Sequence, residues 1–305
     1  MPAARAPRRD VRGILLLDKP HGATSNQALQ RAKRLFEAAK AGHSGSLDPL
    51  ATGVLPVCFG AATRLAGFLL DARKGYAVGL RFGIATATGD AEGEIVAQHD
   101  GPAPPEQRVR AALEELAAVR EQVPPMYSAL KRDGAPLYRL ARRGIEVPRA
   151  PRPITIYEIE LAAYRWPELE FRVTCSKGTY VRTLVTDLAA LLGTVGHVRS
   201  LRRTSLGPYD EPDLSTFAEL ERLRDEGGLA ALDAELVPLD SALAGWPRVV
   251  LAAADIARLI HGQSVPAASD WPRGRVSVYG EPFGFVAIGE VTPAGVLIPR
   301  RVLAP

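Results

Sequence analysis

The feature that most constrains the fold of this chain is a dense run of turn residues between residues 40 and 60. Glycine and proline recur through this segment, at Gly42, Gly45, Pro49, Gly53, Pro56 and Gly60. Because these residues interrupt helices and strands, the pattern predicts one long loop. Apolar residues such as Leu47 and Leu55 argue against disorder, and a long ordered loop in a compact domain is usually functional.

Regular patterns on both sides of this segment predict a mixture of strands and helices. Residues 13–17 have the composition of a buried strand, and Thr24 with Gln27 three residues later forms a helix-starting capping box. Residues 76–84 alternate like a half-buried strand, and residues 184–192 keep helical spacing. Since these elements follow no regular strand–helix–strand period, an α+β fold is expected rather than a doubly wound sheet.

The pattern changes after Trp246-Pro247, which we interpret as a linker. A helical stretch is predicted from Val249 to Leu259, and three short strand-like pieces follow it, separated by glycine and proline. The expected organisation is a basic extension at residues 1–12, a large domain at residues 13–247 and a small, mostly β domain at residues 248–305.

The composition indicates the cellular compartment of the protein. The 305 residues include two cysteines, Cys58 and Cys175, which cannot form a disulfide framework, so a reducing compartment is expected. No apolar run approaches the roughly 20 residues that a membrane-spanning helix requires. The short run at residues 14–17 is too short for a signal peptide. A cytoplasmic protein without a membrane partner is therefore expected.

The positive charge is concentrated in two places. The net charge is +4, yet residues 131–152 alone carry seven Lys or Arg against Asp133 and Glu146. A second cluster contains Arg199, Arg202 and Arg203. Clustered basic residues favour a polyphosphate partner, because each neutralised phosphate releases counterions. A solvated protein surface explains the same clusters equally well.

The segment Gly42–Pro56 holds an unusual group of reactive side chains. His43, Ser44, Ser46 and Asp48 lie within six residues of one another, and the glycines allow a ligand to approach the backbone closely. A purely structural explanation also exists, in which Asp48 is the N-cap of a helix that begins at Pro49.

Several classes of site are excluded by the spacing of the relevant residues. The five histidines are scattered, and no Cys or His pair has the spacing of metal ligands, so no metal is expected. No lysine follows the glycines as in a phosphate-binding loop, and no strand leads into Gly-x-Gly-x-x-Gly, so no nucleotide cofactor is expected. Asp48 has no acidic neighbour in its segment, which counts against a two-carboxylate hydrolase.

Four blocks of sequence resemble, in order, the motifs of the bacterial tRNA pseudouridine-55 synthases, the TruB family. The first block is Leu-Asp-Lys-Pro-His-Gly-Ala-Thr-Ser at residues 17–25, and the second is Gly-His-Ser-Gly-Ser-Leu-Asp-Pro at residues 42–49. The third is Lys-Gly-Tyr at residues 74–76, and the fourth is Lys-Gly-Thr-Tyr-Val-Arg-Thr-Leu at residues 177–184. The small last domain resembles the RNA-binding PUA domain. The departures, among them Ser44 and Ser46 in place of threonine, change no proposed catalytic group.

The resemblance implies a pseudouridine synthase fold, with a mixed, largely antiparallel sheet and a central cleft, followed by a PUA domain. It implies isomerisation of uridine-55 in the T-arm of tRNA to pseudouridine, in which the base is flipped out, the C1′–N1 bond breaks and C5 is joined instead. This reaction needs neither oxidation nor phosphoryl transfer, so no cofactor is implied. The expected partner is the tRNA elbow, and a monomer is expected.

The resemblance also assigns roles to individual residues. Asp48 is implied as the catalytic nucleophile, Arg182 as its ion-pair partner and Tyr76 as the ring against which the base stacks. On the strand pattern alone, a core position is the favoured explanation of Tyr76. The implied substrate-binding residues are His43, which takes the place of the flipped base, Tyr180, Leu201, and Lys19 with Pro20 in the cleft floor.

Two other functions compete with this interpretation. A non-catalytic RNA-binding or tRNA-folding protein would need the basic clusters and the last domain, but not Asp48, Tyr76 and Arg182 together. A base glycosylase would release free base, whereas isomerisation leaves the mass of the RNA unchanged. The sequence leaves open whether Asp48 attacks C1′ or adds to the uracil ring.

Overall fold

The computed structural model describes residues 8–132 and 134–303. The first seven residues of the predicted basic extension therefore lie outside the described residues. Its remaining part is attached to the large domain, because Arg9 donates two hydrogen bonds of 2.7 Å to the Asp233 carboxylate and Val11 is buried. The predicted extension is thus part of the folded surface from Arg9 onward.

Helices and strands alternate irregularly along the chain. The helices are α1 (Ser25–Leu35), α2 (Ala66–Asp71), α3 (Glu106–Ala117), α4 (Leu137–Ala141), α5 (Val181–Leu191), α6 (Phe217–Ala234) and α7 (Ala253–Ile260). The strands before residue 247 are β1 (Gly13–Lys19), β2 (Ala41–His43), β3 (Thr52–Phe59), β4 (Lys74–Phe82), β5 (Ile84–Thr86), β6 (Ile95–Gln98), β7 (Glu121–Gln122), β8 (Lys131–Arg132), β9 (Ala135–Pro136), β10 (Arg152–Pro153), β11 (Ile156–Arg165), β12 (Glu168–Cys175), β13 (Gly196–Leu206) and β14 (Tyr209–Asp210).

A mixed, largely antiparallel sheet forms the centre of the molecule, as the family resemblance implies. Within the described residues it has eight strands, with the order β1-β3-β13-β4-β12-β11 and with β2 and β14 at its margins. Helices α3 and α5 pack on one face of β4, β12 and β13, and α1 and α6 pack beside β1 and β3. These two cores lie on either side of the junction between β3 and β13.

That junction is the one parallel pairing of the central sheet in the described chain. It consists of two residue pairs, Arg202 with Thr52 and Arg203 with Gly53. Gly53 has φ +94°, and a Cβ atom there would lie 2.2 Å from the carbonyl oxygen of Arg203. Only glycine fits so close an approach. The loop at residues 44–51, which contains Asp48, ends just before this point.

A second sheet follows near the C-terminus. Its strands are β15 (Arg248–Val250), β16 (Val265–Pro266), β17 (Gly274–Gly280), β18 (Gly284–Val291) and β19 (Val296–Val302). They are arranged in the order β15-β17-β18-β19-β16. Ile288 and Leu303 pack into the core beneath β1 and β3, so the second sheet is anchored on the large domain.

The predicted long loop between residues 40 and 60 is wrong. The structure contains two strands there, β2 and β3, and leaves a loop at residues 44–51. All of β3 except Thr52 is buried, because side chains cover both faces. A strand covered on both faces shows no alternation of apolar and polar residues in its sequence. Gly53 and Pro56, which are typical of turns, made this strand harder still to recognise. In this fully described stretch no helix follows Asp48, so the N-cap interpretation is also wrong.

Two further predictions need correction. The stretch Val249–Leu259 begins with strand β15, and helix α7 starts at Ala253. The cluster of Arg199, Arg202 and Arg203 forms no continuous basic surface, because Arg203 is completely buried and Arg202 is paired with acidic residues.

Candidate active site

The loop at residues 44–51 is held rigidly at the junction of the sheet. Ser25 fixes it, since its Oγ accepts a 2.7 Å hydrogen bond from the Leu47 amide and donates one of 3.1 Å to the Leu47 carbonyl. Gly45 supplies a left-handed turn with φ +76°. The loop therefore presents Asp48 in a defined position.

Lys19 supports the same loop from below. Its side chain is completely buried, and Nζ donates to the carbonyl oxygens of Pro20 at 2.9 Å and Pro49 at 3.3 Å. Burial lowers the pKa of Lys19 to about 8, and the nearby Asp48 charge opposes that shift. Because its contacts are with the backbone, Lys19 positions the peptide that follows Asp48.

An ion pair joins Asp48 to the first turn of α5. Nε of Arg182 lies 2.9 Å from Asp48 Oδ2 and 3.7 Å from Asp90 Oδ2. The guanidinium also donates 2.7 Å hydrogen bonds to the carbonyl oxygens of Thr88 and Tyr127. The Arg182 side chain is 7% exposed and the Asp90 side chain 6%, whereas Asp48 is 43% exposed toward the adjoining cavities. One cation therefore balances two carboxylates, one of which is accessible to a ligand.

The backbone before Arg182 is fixed by a buried amide side chain. Gln122 accepts a 2.7 Å hydrogen bond from the Tyr180 amide and donates one of 3.1 Å to the Tyr180 carbonyl. Tyr180 is the N-cap residue of α5 and makes no side-chain cap hydrogen bond. Gln122 thus orients the peptide that leads into Arg182 and connects it to the end of β7.

Two cavities meet at Asp48. The inner cavity has a volume of about 190 Å³. Its lining residues are Ser46, Leu47, Asp48, Tyr76, Ser128, Ala129, Thr179, Tyr180, Val181, Arg182 and Leu201. Tyr76 and Leu201 are each 8% exposed and belong to the core as well as to this wall, so the core explanation of Tyr76 is confirmed and its stacking role stays a prediction. The inner cavity offers aromatic and aliphatic walls beside a carboxylate, which suits a flat, polar ring.

The outer cavity, about 490 Å³, opens the site to the surface. His43 lies in it at the end of β2, and its Nδ1 atom is buried without a hydrogen-bond partner among the described residues. Burial lowers the pKa of His43, and the charge of Arg203 lowers it further. His43 therefore lines the outer cavity with an imidazole whose neutral form is favoured and whose unpartnered Nδ1 atom is buried.

The surroundings of Asp48 raise its pKa above the ordinary value of an aspartate. Burial raises the pKa of Asp48, Arg182 and Lys19 oppose the rise, and the Asp90 charge adds to it. A desolvated anion held by a guanidinium can act as a nucleophile, or it can stabilise positive charge that develops on a bound substrate.

The structure brings together most of the residues that the sequence analysis selected. Asp48, Tyr76, Tyr180, Arg182 and Leu201 all line the inner cavity. His43 lies in the outer cavity.

Lys19 and Pro20 do not reach either cavity. They line a separate groove with Asp18, Arg31 and Arg202, and Lys19 contacts the site through the Pro49 carbonyl.

Four residues at the site escaped the sequence analysis: Asp90, Gln122, Ser128 and Arg203. Asp90 follows a Thr-Gly turn after β5, and an acidic residue at such a turn could have been selected from the sequence as a candidate site residue. Ser128 is 5% exposed, and its hydroxyl has no partner among the described side chains and backbone. Gln122 and Arg203 gave no local signal, because their roles depend on contacts with distant segments.

The basic segment at residues 131–152 borders the entrance. Arg142 lines the outer cavity directly. Lys131, Arg149 and Arg152 line a neighbouring cavity of about 560 Å³. Basic side chains therefore lie beside the entrance to the site.

Searches for metal and membrane features cover the described ranges 8–132 and 134–303. They contain no group of three or more His, Cys, Asp or Glu that could hold a metal ion. None of their helices combines the length and the apolar character of a membrane span.

Comparison with known proteins agrees with this geometry over almost the whole chain. The model of the TruB family pseudouridylate synthase N-terminal domain matches residues 33–181. The tRNA pseudouridylate synthase B C-terminal domain matches residues 182–244, and the pseudouridine synthase II TruB C-terminal domain matches residues 247–303.

Curated relatives and a solved structure extend the likeness. Proteins named tRNA pseudouridine synthase B from Stutzerimonas stutzeri and Pseudomonas aeruginosa are each 50% identical over 296 residues, 97% of this chain and 97% of theirs. A chain from the crystal structure of a Cbf5-Nop10-Gar1 complex superposes with a TM-score of 0.74 at 26% identity, covering 96% of this chain and 85% of that chain. The chain therefore belongs to the TruB family of pseudouridine synthases.

Proposed function

We propose that this isomerase converts uridine-55 in the T-arm of tRNA to pseudouridine, with Asp48 as the catalytic carboxylate. The observation that carries the proposal is the ion pair between Asp48 and Arg182 at the wall of the inner cavity. The tRNA substrate is supported by the names of the relatives that are 50% identical over 97% of the chain.

The reaction breaks the C1′–N1 bond, turns the detached uracil and joins C1′ to C5, after which the C5 proton is lost and N1 gains a proton. An ionised Asp48 supplies the negative charge that these reaction steps need, either as nucleophile or as stabiliser of positive charge at C1′. Arg182 keeps the carboxylate ionised and oriented. Tyr76, Tyr180 and Leu201 enclose the base and exclude water from the reacting atoms.

The target base lies inside the folded tRNA elbow, so it must leave its stack before it reaches Asp48. We propose that His43 fills the vacated space, since it faces the outer cavity and is kept neutral by its surroundings. Stacking of a flat imidazole in place of a base compensates part of the cost of flipping.

Two surfaces are proposed to hold the tRNA backbone. The basic segment 131–152 borders the entrance, and the PUA-like domain at residues 248–305 provides a second contact region. Ultraviolet crosslinking of tRNA, followed by peptide mapping, should place crosslinks in both regions; crosslinks in neither would contradict the proposal. A monomer in the cytoplasm stays a prediction, which light scattering of the purified protein and fractionation of cells would check.

The decisive experiment is carbodiimide mapping of pseudouridine in a T-arm hairpin treated with the purified chain. We expect a stop at the target position, unchanged RNA mass and no free uracil. Asp48→Asn should abolish the stop and keep tRNA affinity within a few-fold of wild type, because affinity comes mainly from phosphate contacts. Wild-type turnover by Asp48→Asn would remove Asp48 from the mechanism. Binding of tRNA without any conversion by the wild-type chain would favour a non-catalytic RNA-binding protein.

A further inference from the structure

Arg203 is among the largest completely buried side chains of the protein. It lies on β13, beneath the inner cavity, and forms no ion pair with any carboxylate of the described residues. Removing a guanidinium from water costs several kcal/mol unless its donors and its charge are compensated. A leucine or methionine would fill the same core space without that cost, so the position of Arg203 calls for a function.

The hydrogen bonds of Arg203 converge on the catalytic loop. Nε donates to the Val54 carbonyl at 2.7 Å, and Nη2 donates to the Gly45 carbonyl at 3.2 Å. These two carbonyls lie on either side of Asp48 in the sequence. Arg203 therefore ties the beginning and the end of the loop to the central strand.

The third nitrogen, Nη1, is buried and has no hydrogen-bond partner within the part of the chain that the structure describes. It lies close to Gly45, where an added Cβ atom would be 3.3 Å away. Tyr76 is directly opposite Arg203 in the antiparallel register of β4 and β13. Directly opposed residues project their side chains from the same face of a sheet, so the phenol and the guanidinium are neighbours.

The electrostatics of this pair are mutually favourable. Burial lowers the pKa of Arg203, and the phenol of Tyr76 opposes that shift. Burial likewise raises the pKa of Tyr76, and the nearby Arg203 guanidinium opposes the rise. Cys175 and Asp48 also face the phenol, and both add to the rise.

We propose that Arg203 is a positioning residue for Tyr76: it donates to the phenolic oxygen and thereby directs the hydroxyl hydrogen into the inner cavity. The same guanidinium holds the Asp48 loop through Gly45 and Val54. Arg203 keeps its own protons throughout, and no bond to it forms or breaks. The inference rests on the proposed function, because the inner cavity is where the uracil ring is expected.

A second buried cation provides a matched control. Lys74 lies on β4 two residues before Tyr76, on the same face, and is 9% exposed. Its Cε atom packs near Gly45, 3.7 Å from where a Cβ atom would lie, but its Nζ donates to the carbonyls of Leu70 and Ala72 at 2.9 Å and to no atom of the loop. Replacing Lys74 also removes a buried cation, yet it removes no donor to Tyr76 that the structure shows.

The test is a double-mutant cycle between Arg203→Met and Tyr76→Phe, measured as single-turnover conversion of a T-arm hairpin at saturating protein. Arg203→Met should slow conversion about tenfold in the wild-type background and less than about threefold in the Tyr76→Phe background. Affinity for the hairpin should stay within a few-fold. Lys74→Met and Tyr76→Phe should combine additively. Additive effects of Arg203→Met and Tyr76→Phe would overturn the proposal.

A spectroscopic measurement decides the question independently of turnover. Fluorine NMR of protein labelled with 3-fluorotyrosine follows the titration of Tyr76, whose signal is identified by its loss in Tyr76→Phe. Arg203→Met should raise the pKa of this phenol, and Arg203→Lys, which keeps the charge, should raise it less. An unchanged titration in both variants would refute the proposal, and Arg203→Lys alone decides it if Arg203→Met does not fold. If the wild-type chain forms no pseudouridine, the proposed function fails while this titration still reports on Arg203.

Discussion

Replacing Arg182 with methionine should destabilise the folded protein strongly. The Arg182 side chain is 7% exposed and holds two carboxylates and two backbone carbonyls at once. Removing one partner of a buried ion pair costs about 3–5 kcal/mol, because the charge left behind stays buried. Asp90, with its side chain 6% exposed, supplies most of this cost. Asp48 supplies less, because water reaches its more exposed carboxylate.

Urea denaturation, followed by tryptophan fluorescence and by circular dichroism, measures the loss. We expect the free energy of unfolding of Arg182→Met to fall by about 3–5 kcal/mol. The added substitution Asp90→Asn should recover part of the loss, because it removes the second buried charge. Arg110→Met is the control: Arg110 forms an exposed pair with Glu106 one helical turn away, and such pairs contribute about 0.3–0.5 kcal/mol.

The same substitution has a kinetic consequence. Arg182 opposes the rise in the pKa of Asp48, so its removal leaves more of the carboxylate protonated at neutral pH. Conversion by Arg182→Met should therefore be slow at neutral pH and should recover partly as the pH rises. In the urea denaturation, a loss below about 1 kcal/mol for Arg182→Met, with an unchanged dependence on denaturant, would refute the stability prediction. Such a result would mean that Arg182 compensates no buried charge.

Three further outcomes follow from the site. Asp48→Asn should raise the free energy of unfolding at neutral pH, as measured by urea denaturation. The folded-state pKa of Asp48 lies above its ordinary value of 3.8, so ionisation of Asp48 costs stability as the pH rises. The gain from the substitution should therefore vanish below about pH 4. His43→Ala should slow single-turnover conversion of a folded T-arm hairpin more than that of a hairpin with an unstacked target base, and equal losses would contradict stack filling. Gln122→Met should cost about 1–3 kcal/mol of stability and slow conversion without weakening RNA binding, because the Tyr180 amide loses its partner, whereas the Tyr180 carbonyl keeps the Leu184 amide. An unchanged rate would contradict this role.

Elements with a local signal could be predicted from the sequence. The capping box at the start of α1 forms as expected, with the Gln27 amide donating to Thr24 Oγ1 at 3.1 Å and the Thr24 amide donating to Gln27 Oε1 at 2.8 Å. The alternation of β4 correctly identified its apolar face as buried, but the opposite face is also largely buried and the strand ends at Phe82, before Ile84. In both cases the pattern depends on neighbours a few residues away, which the sequence displays directly.

Elements defined by distant contacts could not be predicted in this way. Strand β3 shows no alternation because it is covered on both faces, and α6 contains a Gly-Gly pair in which Gly228 leaves the helical conformation. Arg203 was assigned to a basic cluster because its neighbours Arg199 and Arg202 are charged. Its burial follows from the central position of β13 in the sheet, which no local pattern of charges can indicate.

The position of the site follows from a short pairing in the central sheet. Where β3 meets β13, the described chain has two residue pairs, so few backbone hydrogen bonds hold the strands together. The side chain of Arg203 adds to that ladder with its bonds to Val54 and Gly45. Because the connection is made by a side chain, the loop that carries Asp48 can turn away from the sheet toward Arg182 and still be fixed at both ends. The proposed catalytic carboxylate thus gains rigid support without being buried inside a complete sheet.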